Sequence, residues 1–221
     1  MDRLEASLDW AQHVDIDEVA DRVQEIGFEC TRCGTCCQGT DGESHTATVF
    51  PAEIRQIEAA TADSWSAIAR PMPFGIRDGA GETFEWALQI DDCGDCTFLE
   101  TADSQTRCAI YDERPLLCRT YPFSLGLPGT GETKANAVAV AGRVRASECP
   151  GLGAEISRER SVAIAKTLKE RAVRELQEIL ALREQYEPHQ AADGIVVHDS
   201  EGAKDPHGTP LGPSSEHCSD C

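Results

Sequence analysis

Residues 28–39 read FECTRCGTCCQG, so Cys30, Cys33, Cys36 and Cys37 fall within eight positions. Two successive C-x2-C steps with a doubled last cysteine make a thiolate cradle. Sulfur at this density ligates a soft metal ion, holds an iron–sulfur cluster, or crosslinks. The chain carries 11 cysteines in all. Five of them, Cys93, Cys96, Cys108, Cys118 and Cys149, follow in the contexts CGDCTFLE, RCAIYDERPLLCRTYPF and ECPGLG. The first run alone is an incomplete site, and the later cysteines are the natural complement.

The metal stays open at this stage. Tetrahedral zinc takes four Cys or His ligands, often as two CxxC pairs, and eight thiolates could fill two such sites. Iron–sulfur clusters also take four thiolates, and the bacterial ferredoxin run opens C-x2-C-x2-C and ends in C-P. Cys30, Cys33 and Cys36 match that opening, and Cys149-Pro150 supplies a distant C-P. Cys37 departs from the ferredoxin spacing. On an extended backbone adjacent side chains diverge, which would send Cys36 and Cys37 to different metals. Thiol or disulfide redox chemistry is the third alternative.

The full set reads CxxCxxCC, then CxFL, then C-x-IY-x-x-RP-x-x-CR-x-YP, then CPG. It resembles the CxxCxxCC cysteine-cluster family, also called YkgJ-like, of zinc- or iron-chelating domains, over roughly residues 26–153. The resemblance implies Cys30, Cys33, Cys36, Cys37, Cys96, Cys108, Cys118 and Cys149 as ligands, with an iron–sulfur cluster or zinc as the cofactor and a structural or redox role. It leaves Cys93, Cys218 and Cys221 outside the pattern. One branch is similar to flagellin lysine N-methylases, which implies protein methyl transfer as an alternative function. No glycine-rich nucleotide loop of the Rossmann kind supports that branch. No Ser/His/Asp set can be assembled, so catalytic residues, and whether the protein is an enzyme, stay undetermined.

Arg114 and Arg119 belong to the same family pattern. Four thiolates around a metal leave net negative charge, and guanidinium groups beside it offset that charge and tune its chemistry. Surface pairing of Arg114 with Asp112 or Glu113 is the plainer alternative. Tyr111 and Tyr121 read as packing residues. Cys93 reads as a free loop thiol, a spare ligand or a resolving thiol. His217, Cys218 and Cys221, with His207 or His198, could grip a metal at the cost of ordering the chain's end. His45 is the best-placed non-cysteine ligand near the first run.

These residues must be positioned by short elements. Apolar residues at Val14, Ile16, Val19, Val23 and Ile26 have helical spacing, and Gly27 is a stop just before the cysteines. A strand at 46–50 leads into a helix opened by Pro51, and a short helical piece covers 64–70. Strands are expected at 83–90, 108–111, 123–127 and 135–140, with one helical turn at RPLLCR. Residues 155–187 form the longest helix, with Val162, Ala165, Leu168, Ala172, Leu176, Ile179 and Leu182 along one face. That face packs on the core or forms a homodimer seam. From Pro188 onward Gly, Pro, Ser, Asp and His dominate, which reads as a flexible tail. The expected architecture is a single α+β domain: residues 1–154 as the cysteine-cluster unit, 155–187 as a helix packed on it, and 188–221 as the tail.

The formal net charge is −19, and Arg outnumbers Lys 16 to 4. Such a surface disfavours nucleic acid and anionic membranes. Its dispersed carboxylates suit a high-salt, halophilic cytoplasm. The first 23 residues lack a basic segment followed by an apolar run, and no stretch approaches the ~18 apolar residues of a membrane span. Many cysteines without an export signal point to reduced thiols in a cytoplasmic setting.

Overall fold

The computed structural model describes residues 2–39, 44–102, 105–128, 137–189 and 194–212. The helices are α1 (Arg3–His13), α2 (Ile16–Ile26), α3 (Pro51–Thr61), α4 (Trp65–Ile68), α5 (Leu116–Thr120) and α6 (Arg158–Gln185). The strands are β1 (Thr48–Val49), β2 (Ala69–Pro71), β3 (Ile76–Arg77), β4 (Ala80–Thr83), β5 (Trp86–Leu88) and β6 (Leu99–Ala102). They continue with β7 (Gln105–Cys108), β8 (Phe123–Leu125), β9 (Ala137–Ala141), β10 (Val144–Ser147), β11 (Ile195–Asp199) and β12 (Gly202–Lys204). The fold class is α+β, as expected, with the long C-terminal helix present. The single expected domain is instead two compact units.

The first unit comprises Met1–Ala47 and Ile90–Gln177. Helix α2 begins where Asp15 caps it, accepting from the N–H groups of Asp17 and Glu18, which satisfies donors that lack partners in the first turn. Its apolar stripe, Val19, Ala20 and Val23, packs with Phe28, Phe123, Val144, Ala146, Ala165 and Leu168 in one buried cluster. Phe28 meets Phe123 edge-on at 5.6 Å between ring centroids. The antiparallel sheet β8–β10–β9 supplies Phe123, Val144 and Ala146 to that cluster. Helix α6 presents Ala165 and Leu168 there, and Ala172 and Leu176 to Ala11 of α1. Ala165, Leu168, Ala172 and Leu176 of the expected α6 face are thus core positions, whereas Ile179 is exposed. The hairpin β6–β7 completes the unit, with Leu99 opposite Cys108.

The second unit comprises Thr48–Gln89 and Glu178–Cys221. It has a three-stranded sheet, β1–β5–β2, and a four-stranded one, β12–β11–β4–β3. Its buried side chains include Ile54, Ile57, Ile68, Trp86, Leu88 and Val197. Trp65 meets Trp86 edge-on at 5.3 Å, and the Trp86 indole N–H donates to Asp199 at 2.8 Å.

Much of the expected flexible tail is therefore structured. Strand β11 pairs in parallel with β4, and β12 folds back on β11. The β-branched run Ile195-Val196-Val197 is short, and its partner lies more than 100 residues away in sequence. Pairing of that kind outweighs local composition. Another local difference is at Cys108, which ends β7, so CAIY is a strand end and a turn instead of a strand. His217, Cys218 and Cys221 lie outside the described residues.

Candidate metal centre

The first cysteine run is held by backbone geometry. After α2, Gly27 stops the helix, and Phe28 bridges to Leu152 while the Glu29 N–H donates to the Gly151 carbonyl at 2.9 Å. That contact joins the start of the run to the CPG segment of Cys149. A Cβ at Gly151 would sit 1.9 Å from the Glu29 carbonyl oxygen, so only glycine allows this approach.

Arg32 has a left-handed backbone, φ 54°, and Gly34 follows at φ 77°. The Thr106 hydroxyl of β7 donates to the Arg32 carbonyl. The chain then closes into a 3-10 turn over Thr35–Cys37. This corrects the expectation that Cys36 and Cys37 diverge. The turn is helical, not extended, and the two sulfurs lie 3.8 Å apart. Four thiolates around zinc at ~2.3 Å would stand about 3.8 Å from one another. The pair therefore has the edge length of a tetrahedral sulfur site.

The second run is fastened to the first. The Cys96 N–H donates to the Cys37 carbonyl at 2.8 Å, and the Gly39 N–H donates to the Asp95 carboxylate at 2.8 Å. The His45 N–H donates to the Gly94 carbonyl at 2.7 Å. Within the loop, Asp91 accepts from the N–H groups of Cys93 and Asp95, an aspartate turn that fixes the DDCGDC segment. Cys93 is exposed on this loop and Cys96 is buried. Cys118 lies on α5, whose Thr120 hydroxyl bonds to the Leu116 carbonyl and accepts from Arg171 of α6.

These thiols act on one another electrostatically. Burial pushes the Cys118 thiol up to about 12, and negative charge on Cys96, Cys108 and Cys36 adds to the rise. Burial likewise raises Cys96 to about 11, with Cys108 and Cys36 contributing. Cys108 is raised by burial, with Arg114 opposing. The Cys36–Cys37 pair shares a proton unequally. The thiol of Cys37, donating to Cys36, lowers Cys36 to about 7 and is itself raised. Cys149 is raised by burial and by charge on Cys33, Cys36 and Cys30. Cys33 is lowered by hydrogen bonding to Thr35. Cys33, Cys37, Cys96, Cys108, Cys118 and Cys149 thus each feel the charge of Cys36, and Cys30 acts on Cys149.

Of the two arginines, Arg114 acts on the set. Its positive charge lowers Cys36 and opposes the rise at Cys108 and Cys118. It is held by donating to the Tyr111 carbonyl at 2.9 Å, with its guanidinium 3.8 Å from the Tyr111 ring centroid. Tyr111 is 49% exposed, so it is a platform for Arg114 and not a core residue. Arg119 is exposed in the last turn of α5. Tyr121 donates to the Glu148 carbonyl and is raised to about 12 by burial and by the charge of Cys149, Cys36 and Cys33.

The sequence did not single out Asp91, Asp95, Thr106 or Gly151 as residues that shape the site. The Asp-rich DDCGDC and the CPG glycine were the available signals. Among the described residues, the one set of three side chains with ligand atoms all within 4.8 Å is elsewhere, at Glu82, His189 and His198. Among the described residues, no set of three cysteine sulfurs meets that spacing.

A family model, CxxCxxCC, described as "Putative zinc- or iron-chelating domain", matches residues 29–150. No curated protein and no solved structure gives a significant match.

Proposed function

We propose that this chain, which belongs to the CxxCxxCC family, holds an iron–sulfur cluster through its clustered cysteines, in a structural or electron-carrying role. The ligands are drawn from Cys30, Cys33, Cys36, Cys37, Cys96, Cys108, Cys118 and Cys149. The observation that carries this reading is the backbone tie of the first cysteine run to the Cys96 and Cys149 segments, at Cys37–Cys96 and Glu29–Gly151, beside the close Cys36–Cys37 pair. Uncompensated thiolates repel, and a cation or cluster at their centre removes that cost.

Iron–sulfur is favoured over zinc by the sequence spacing: the Cys30-x2-Cys33-x2-Cys36 opening is that of a bacterial ferredoxin run. When bound, the cluster would supply one-electron chemistry. The chain's own part is to exclude water with buried Cys96 and to offset negative charge with Arg114.

Purification without oxygen, followed by iron, zinc and acid-labile sulfide analysis, tests the reading. A brown protein with iron and sulfide in matching amounts, bleached by dithionite, is expected. A colourless protein with stoichiometric zinc would replace the cluster by a zinc centre.

A further inference from the structure

The second unit contains a histidine–carboxylate cluster that the cysteine motif does not use. In the parallel pair β4–β11, Glu82 is opposite Val196 and Thr83 opposite Val197. Alternate strand residues share a face, so His198 emerges on the Glu82 side. His198 Nε2 is 2.9 Å from Glu82 Oε1. The His189 backbone N–H donates to the same oxygen at 2.6 Å, which sets the His189 ring 5.6 Å from the His198 ring. One ligand atom from each of the three residues lies within 4.8 Å of the others.

The surroundings suit a bound cation. The His198 side chain is 2% exposed and Glu82 23%. Phe84 stacks on the His198 ring and Tyr186 meets it edge-on. The Tyr186 hydroxyl donates to Glu82 Oε2 at 3.3 Å, the kind of outer hydrogen bond that orients a ligating carboxylate. At His189 both ring nitrogens face carbonyl oxygens, Nδ1 that of Glu187 at 3.2 Å and Nε2 that of Gly212 at 3.3 Å. A neutral imidazole donates through only one nitrogen, so the other faces its carbonyl without a hydrogen bond, and a rotation of the ring brings its lone pair to a metal. Metal bonds of ~2.0–2.2 Å would set the three ligand atoms about 3.4 Å apart, which opens the 2.9 Å Glu82–His198 contact slightly and keeps all three within their present 4.8 Å limit.

We propose that Glu82, His189 and His198 form a second metal site, independent of the cysteines, for a divalent first-row cation of the zinc type. Two imidazoles and one carboxylate fill three positions of a tetrahedral site and leave the fourth for water or a ligand. His189 and His198 lie beyond the residues that the family model matches. The site therefore stands or falls apart from the cysteine reading.

The test is equilibrium dialysis of the full chain, its cysteine centre filled as purified, against cobalt(II) and then zinc(II). One further equivalent of cobalt is expected, with weak visible bands and no added thiolate-to-cobalt charge transfer. Glu82→Gln and His189→Ala should each lose that equivalent while keeping iron content and circular dichroism unchanged. His198 is buried, so its variants serve only as support if they fold. No further equivalent in the parent chain, or its retention in His189→Ala, overturns the proposal. Added thiolate-to-cobalt charge transfer also overturns it, because the cation then sits on sulfur.

Discussion

Cys96 donates its backbone N–H to the carbonyl of Cys37 across 2.8 Å, a single bond that joins two cysteine runs 59 residues apart. Around it the Gly39–Asp95 and His45–Gly94 bonds repeat the connection. The first run is thus clamped to the second before any metal is considered, and each ligand's loss should act on the whole set.

Cys33→Ser and Cys118→Ser should each abolish or strongly reduce bound metal and lower the unfolding temperature. Cys93→Ser should leave both unchanged, since Cys93 is exposed and lies outside the motif. Metal analysis with thermal unfolding of the three variants checks this. Because metal binding free energy is also folding free energy, the two losses should appear together.

Gly151→Ala should be severely destabilising, by roughly 2–4 kcal/mol, because its Cβ has no room beside the Glu29 carbonyl. Gly153→Ala is the control. Nothing lies within 4 Å of its Cβ, but φ is 79°, so only left-handed strain of about 1–2 kcal/mol is expected. Denaturant unfolding compares them. Equal losses would mean that the chain relaxes around the added methyl and that the close approach at Gly151 is not what holds the two segments.

Much of the site was legible before the structure. The spacing of Cys30, Cys33, Cys36 and Cys37, and the α2 stripe that ends at Gly27, follow from local rules of ligation and helix periodicity. The α6 face was legible for the same reason. What was not legible depends on long-range pairing. Strands β11 and β12 exist because β4 accepts them, and no local signal in Gly- and His-rich sequence announces a partner 100 residues away. The Cys36–Cys37 convergence was missed because the turn at Thr35–Cys37 rests on left-handed residues at Arg32 and Gly34 and on Thr106 of a distant hairpin.

In metal-free protein near pH 7, alkylation should label Cys36 well ahead of Cys118. Cys36 is exposed and lowered to about 7 by the Cys37 thiol, whereas burial raises Cys118 to about 12. Thiolate fraction and access both govern the rate. Arg114→Gln should slow labelling at Cys36, because a positive charge that favours its thiolate is removed. Peptide mapping after timed iodoacetamide exposure reads out the order.

Glu201 links stability of the second unit to acid pH. Its hydrogen bond to Arg55, aided by Lys204, holds its carboxyl at about 2, below the usual 4.5. The folded form therefore binds fewer protons than the unfolded chain over that interval. Its contribution is full above about pH 4.5 and is lost as pH falls toward 2. Glu201→Gln should lower stability at pH 7 by a modest amount, because the pair is partly exposed, and flatten the acid limb of the unfolding curve, so that parent and variant converge as pH falls toward 2.

A net charge of −19 makes the compact chain repel itself. Raising potassium chloride should raise the unfolding temperature. For a chain of this size about 1 kcal/mol of relief would appear as roughly 2–4 °C. A flat or falling response would remove the high-salt reading.

X-ray absorption at the iron edge of anaerobically purified protein tests the central claim most directly. The account predicts a shell of sulfur alone, with iron–iron scattering behind it, both lost in Cys118→Ser. A shell of nitrogen and oxygen, or an intact sulfur shell in that variant, would contradict it.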